Sequence, residues 1–235
     1  MARGMVGQGR GLTRRQAAMG LAALPAISLV ACNRSTPPLI PAQQLSILPA
    51  DPRALVELAI LDSDIRLDIR YATPNNFTGR ILYDQARAFL VSAAAQSLVR
   101  AQASAKVDGY GLLIHDAYRP WSVTKALWDS TPVAKRGFVA DPKIGSRHNR
   151  GCAVDLTLYD VGTGVAVEMP SDYDEFSERA FRSYDGGSAS ASQNRARLER
   201  YMHMEGFRGI SNEWWHFDFN DWADYPILDI QFSDV

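Results

Sequence analysis

The sequence predicts an α+β domain in which helices pack on a largely antiparallel sheet. Three observations carry this. Helical and strand periodicities interleave along one stretch of chain. Gly162-Thr163-Gly164 separates two apolar runs as a hairpin turn would. The crossovers are too short for a doubly wound parallel sheet. At 235 residues, 46% hydrophobic and 22% charged, the chain is long enough to bury a core. Its formal charge of −1 lacks the basic excess of a nucleic-acid binder.

In chain order, Asp64 to Tyr71 alternates apolar and polar residues, the period of a half-buried strand. A loop with Pro74, Asn75, Asn76 and Gly79 follows. From Gln85 to Ala105, Leu90, Ala94, Leu98 and Ala101 recur at helical spacing. Gly111 to Ile114 is a short strand leading into His115-Asp116-Ala117-Tyr118-Arg119-Pro120, and Ser122 is placed to cap a helix through Trp128. Ala153 to Tyr159 is a strand, and Val165 to Val167 is its hairpin partner. Gln193 to Glu205 is a helix stopped by Gly206, and Trp214 to Phe219 is a last aromatic strand. There are no internal repeats.

The N-terminus has a different composition. Residues 1–31 carry Arg3, Arg10, Arg14 and Arg15 and no acid, followed by an uncharged run from Ala17 to Val30. A basic segment before a short apolar run is a secretory signal, too short for a membrane span. Thr13-Arg14-Arg15-Gln16 resembles a twin-arginine signal, and ordinary secretion stays open beside it. Leu29-Val30-Ala31-Cys32 resembles a bacterial lipobox, which makes Cys32 a lipidation site and tethers the protein to a membrane of the cell envelope or periplasm. Asn33 is not the aspartate of inner-membrane retention, which points outward if the cell has two membranes. Cleavage removes four of the 25 basic residues and none of the 26 acidic ones. Acylation of Cys32 leaves Cys152 without a disulfide partner. Residues 32–54, with five prolines from 33 to 52, form a flexible tether, and the domain occupies 55–235.

Two histidines stand in chemically suggestive company. Ser146-Arg-His148-Asn-Arg-Gly151-Cys-Ala-Val-Asp155 and Asn212-Glu213-Trp-Trp-His216-Phe217 offer two imidazoles and two carboxylates. A catalytic zinc takes three protein ligands and keeps a fourth position for water. His148, Asp155 and His216 can supply the three, with Glu213 near enough to act on the water. In a regular strand Glu213 and His216 face opposite ways, so they converge only if Glu213 lies on the preceding turn or the strand is irregular there. His148 can reach back toward Asp155 from a loop eased by Gly151.

Ser146-x-His148-x-x-Gly151-x-Ala153-x-Asp155 with Glu213-Trp214-Trp215-His216-Phe217 resembles the D-alanyl-D-alanine dipeptidase family, zinc enzymes linked with vancomycin resistance. Tyr71-Ala-Thr73, Asn76-Phe-Thr-Gly79, Asp116-Ala-Tyr118-Arg119-Pro120 and Tyr173-Asp174-x3-Glu178-Arg179 resemble its other signatures, in family order across roughly residues 55–220. The resemblance implies the zinc D-Ala-D-Ala peptidase (hedgehog-like) fold, one zinc ion per chain on His148, Asp155 and His216, and Glu213 as general base. It also implies that Arg119 stabilises the oxyanion, that Ser146 lies near the substrate and that Asp174 binds the substrate ammonium. Tyr71 and Phe77 are expected to wall the cleft.

The implied reaction is hydrolysis of D-Ala-D-Ala to D-alanine in cell-wall peptide metabolism. A D,D-carboxypeptidase on longer stem peptides and a non-catalytic zinc-containing cell-wall binder are the alternatives. His115 is expected to be structural, His203 solvated and Cys152 a small buried residue. Trp121, Trp128, Trp214 and Trp215 are expected in the core.

Overall fold

The structure is a computed structural model that describes residues 48–235. The signal segment, Cys32 and the tether up to residue 47 lie outside the described residues. Among the described residues no helix is long and apolar enough to cross a membrane.

Among the described residues seven strands and four α-helices follow one another as β1 (Leu55–Glu57), α1 (Leu58–Leu61), β2 (Arg66–Leu67), β3 (Phe89–Val91), α2 (Ser92–Val107) and β4 (Tyr110–Asp116). Then come α3 (Trp121–Ser130), β5 (Ala153–Asp160), α4 (Ala189–Met204), β6 (Phe207–Gly209) and β7 (His216–Phe219). The main sheet has the order β2-β4-β5-β7-β6, and β1 and β3 form a separate antiparallel pair. Only β2 and β4 run parallel within the main sheet. The α+β class with a largely antiparallel sheet therefore holds.

Both faces of β5 are covered, which is why nearly all of it is buried. Val154, Leu156 and Leu158 share one face and are fully buried. Asp155 and Thr157, at alternate positions, share the other, where the chemistry lies. Helix α2 packs on β4 through an alanine-rich face with Ala94, Leu98, Ala101 and Ala105 buried, and α4 packs on α2. Each fully buried leucine here contributes about 2 kcal/mol. The Gln102 side-chain oxygen accepts from the Leu112 amide at 2.8 Å, tying α2 to the strand that leads to the site.

Several elements differ from the sequence reading. The alternation over 64–71 yields only the two-residue β2, because beyond Asp68 the chain leaves β4 and enters a 3-10 turn, Arg70–Ala72, that turns Tyr71 inward. The first third of the expected helix over 85–105 is extended. Phe89–Val91 pairs with β1, and this buried run is a strand rather than a helical face. Ser122 does not cap α3; it lies inside the helix and bonds the Asp229 carboxylate through both its amide and its hydroxyl. The hairpin after β5 is reduced to one bridge, Tyr159 to Ala166. Helix α4 begins earlier than expected, capped by the Ser188 hydroxyl, and stops at Gly206 (φ +83°). Trp214 and Trp215 are core residues, whereas Trp121 and Trp128 are only half-buried.

Candidate metal centre

Register places the site. On β5, Asp155 sits directly opposite His216 of β7 and, across an irregularity after Ile114, opposite Asp116 of β4. Side chains facing each other on adjacent strands lie about 5 Å apart at Cβ, so three polar groups meet on one face of the sheet.

His148 arrives from the 3-10 turn His148–Arg150 that precedes β5. Gly151 reverses the chain at φ +64°, and a Cβ there would stand 2.8 Å from Leu55 Cδ2 and 3.1 Å from the Val91 amide nitrogen. Only glycine combines that backbone with that space.

The three predicted ligands converge. His148 Nε2 lies 3.1 Å from His216 Nδ1 and 3.4 Å from Asp155 Oδ1, and the last two are 3.0 Å apart. Ligand atoms about 2.0–2.2 Å from one tetrahedral ion stand roughly 3.3–3.6 Å from each other. The triangle therefore matches a zinc ion to within a few tenths of an ångström. His148, Asp155 and His216 are the group of potential metal-holding side chains that stands out among the described residues, and all three are buried.

Each ligand is oriented from behind. His148 Nδ1–H donates to the Ala117 carbonyl at 2.6 Å, which leaves Nε2 as the lone-pair nitrogen. His216 Nε2–H donates to Asp218 Oδ1 at 2.8 Å, which frees Nδ1. The Tyr173 hydroxyl donates to Asp155 Oδ2 at 3.1 Å, directing Oδ1 to the shared point. Such outer partners fix the tautomer and raise ligand basicity. In the metal-free protein, burial opposes charge on His216, but the Asp155 and Asp218 carboxylates outweigh it and lift its pKa to about 10. Burial opposes charge on Asp155 as well, yet the two imidazoles hold its carboxyl well below the usual range.

Glu213 lies on the turn before β7, as convergence requires, with its carboxylate 3.8 Å from His216 Nδ1. Burial, assisted by Asp155 and opposed by His216, raises its pKa to about 7. Arg119 is buried. Its Nε and Nη2 donate to one oxygen of Asp116 at 2.9 and 2.6 Å, and Nη2 is 3.9 Å from Asp155 Oδ2. Asp116 also accepts from the Tyr83 hydroxyl at 2.7 Å and from the Ala117 amide. The guanidinium is thus held in one orientation, over the Tyr71 ring at 5.2 Å.

Asp174 is the one non-glycine residue with positive φ (+59°) among the described residues. Strain of this kind persists where the surroundings fix it and gathers at functional sites. Its Oδ2 accepts from the Tyr71 hydroxyl at 2.8 Å, and burial, with Asp155 nearby, pushes its carboxyl well above the usual range. The Ser146 hydroxyl accepts from the His148 amide at 3.2 Å.

Tyr71, Phe77, Arg119, Ser146, His148, Asp155, Asp174, Glu213 and His216 all line one cavity of about 230 Å³. Cys32 lies outside the described residues. Cys152 faces away from the cavity, its Sγ donating to the Arg150 carbonyl at 3.3 Å, and burial lifts the thiol to about 12. His115 stacks on Tyr173 at 4.7 Å, and His203 is half-exposed beside Glu199. Sequence reasoning assigned no role to Asp116, Tyr173 or Asp218. Asp218 had a signal, since a carboxylate two residues beyond His216 on a strand shares its face. Asp116 lies only three residues before its partner Arg119, whereas Tyr173 reaches Asp155 through tertiary packing.

The M15 peptidase family model, described as D-ala-D-ala dipeptidase, matches residues 51–235. The D-alanyl-D-alanine dipeptidase of Escherichia coli (strain K12) is 39% identical over 184 residues, 78% of this chain and 94% of that protein. That of Enterococcus faecium is 36% identical over 190 residues, 69% of this chain and 93% of that protein. A solved structure, VanYB in complex with D-Alanine-D-Alanine, aligns with TM-score 0.39 and 17% identity, over 58% of this chain and 75% of that one.

Proposed function

The chain belongs to the D-Ala-D-Ala dipeptidase family of M15 peptidases, and we propose that it hydrolyses D-alanyl-D-alanine to two molecules of D-alanine with one zinc ion per chain. The observation that carries this reading is the meeting of His148 Nε2, Asp155 Oδ1 and His216 Nδ1 at one point, with the Glu213 carboxylate beside it. When bound there, zinc supplies a Lewis acid that polarises the scissile carbonyl and lowers the pKa of a water to about 7.

The chain's own residues do the rest. Glu213 takes a proton from the attacking water and passes it to the departing amine, so that one water is consumed and each product leaves as an amino acid. Arg119, fixed by Asp116, donates to the carbonyl oxygen as that atom gains negative charge. Asp174 pairs with the substrate ammonium, with Tyr71 holding its carboxylate in place. Ser146 borders the substrate from the His148 side. The cavity of about 230 Å³ is below the roughly 300–1,000 Å³ of drug-sized ligand pockets, which favours a dipeptide over a stem peptide.

The test is release of D-alanine by the zinc-loaded protein from free D-Ala-D-Ala and from a pentapeptide ending in D-Ala-D-Ala. Cleavage of the dipeptide alone is expected. Cleavage of the pentapeptide alone transfers the reading to a D,D-carboxypeptidase, and zinc binding without any turnover leaves a cell-wall binder.

The basic segment, the apolar run and Cys32 support export and lipid anchoring in the cell envelope, where cell-wall peptides lie. Labelled fatty acid should enter the wild-type chain and not Cys32→Ala. Equal labelling of both would remove the anchor.

A further inference from the structure

A second cavity, of about 450 Å³, adjoins the metal cavity. It is lined by Arg70, Pro74, Asn75, Asn76, Phe77, Asp172, Tyr173 and Asp174. Phe77 and Asp174 line both spaces, so these two residues form the wall between them. The wall is braced. The Phe77 ring packs on Phe176 at 4.9 Å and edge-on to Tyr71 at 6.4 Å, and Phe176 in turn stacks on Phe138 at 4.9 Å. Lys135 donates to the Phe176 carbonyl at 3.0 Å, which joins the Phe138 and Phe176 segments. Asp174 is held by Tyr71 in its strained backbone conformation.

The chemistry of the outer space differs from that of the inner one. None of His148, Asp155 and His216 lines it, and it offers an Asp172 carboxylate, an Arg70 guanidinium and the Asn75 amide beside Tyr173. Those groups suit the hydrogen bonds of one more amino-acid residue. They also lie on the Asp174 side of the metal cavity, the side to which the proposed function assigns the substrate ammonium. A residue added to the amino end of D-Ala-D-Ala would have to pass this wall.

We propose that the outer cavity is a latent subsite for a residue preceding D-Ala-D-Ala, and that the Phe77 ring closes it and so sets the substrate length. This inference rests on the functional reading above. Phe77 acts by occupying space, so shrinking it should admit the longer peptide and not merely slow the reaction.

The experiment compares zinc-loaded wild type, Phe77→Leu and Phe77→Ala on D-Ala-D-Ala and on the same dipeptide extended at its amino end by serine. The ratio of kcat/KM for the tripeptide to that for the dipeptide should rise at least about tenfold in Phe77→Ala, mainly through a lower tripeptide KM, with Phe77→Leu between. Adding Asp172→Ala to Phe77→Ala should weaken the tripeptide selectively. An unchanged ratio in folded, zinc-containing Phe77→Leu and Phe77→Ala overturns the proposal. If the wild type cleaves neither peptide, the functional reading fails by itself and calorimetry decides the subsite. Tripeptide binding about tenfold tighter to zinc-loaded Phe77→Ala than to wild type supports it, and equal affinity overturns it.

Discussion

Replacing Asp218 with asparagine tests the metal centre through a residue that touches no substrate. In the metal-free protein His216 lies between two carboxylates and titrates near pH 10. Zinc needs the neutral imidazole, so at pH 7 it must displace a proton held across three pH units, a cost of about 4 kcal/mol. Apparent zinc affinity should therefore rise steeply from pH 7 toward 10. Asp218→Asn removes one carboxylate and has two opposed effects. It weakens the orienting hydrogen bond now at 2.8 Å, which lowers intrinsic zinc affinity by about 10–100-fold. It also lowers the imidazolium pKa, which reduces proton competition by about tenfold per unit.

At pH 9.5 the larger part of the intrinsic loss should show, whereas at pH 7 the two proteins should approach each other. Competition against a chelator of known pH dependence measures both values. A wild-type to variant ratio that stays constant, or grows toward low pH, would refute the coupling of Asp218 to His216. The sign is consistent for stability. Without metal, the raised pKa stabilises the fold fully below about pH 6.5 and that contribution fades as pH climbs toward about 10.

Glu213→Gln should keep zinc but lower kcat by about 10²–10⁴-fold, as measured by D-alanine release with metal analysis. Glu213 titrates near 7 without metal, and a cation beside it favours its ionised form. The rising limb of kcat/KM should then fall below pH 7 in the zinc enzyme, and a midpoint above 7 would exclude Glu213 as the base. Arg119→Lys replaces a fork fixed on Asp116 by a flexible point charge, and kcat should fall by about 10²–10³-fold at unchanged zinc content. Gly151→Ala forces a Cβ to within 2.8 Å of Leu55 at positive φ; thermal melts should show about 1–3 kcal/mol lost and the bound zinc should fall with it.

The ligand set was readable because histidine is scarce here and each ligand lies in a short segment whose local geometry follows from residue type. Gly151 announces a reversal, and of the two arrangements parity allowed for Glu213, the turn before the strand is the one the structure shows. What could not be read depends on partners distant in sequence. The alternation from Asp64 to Tyr71 marks a buried face but does not say where pairing with β4 ends. Phe89–Val91 is apolar on every side, a pattern that suits a helix or a covered strand, and β1 decides it. The tyrosines that hold Asp116 and Asp155 are likewise set by folding. Tyr83 reaches Asp116 from 33 residues away, and Tyr173 reaches Asp155 from 18.

The pairing of Asp155 with His216 has a kinetic consequence. These two ligands are 61 residues apart, and His148 and His216 are 68 apart. They come together only when β7 docks on β5, and a slip of one residue in that pairing would point His216 to the opposite face. Long-range pairing of this kind is a slow step in folding, and the ion has no assembled site to grip before it is complete. Zinc should therefore leave the refolding rate unchanged and slow unfolding, so that it governs how long the native state lasts and not how quickly it forms.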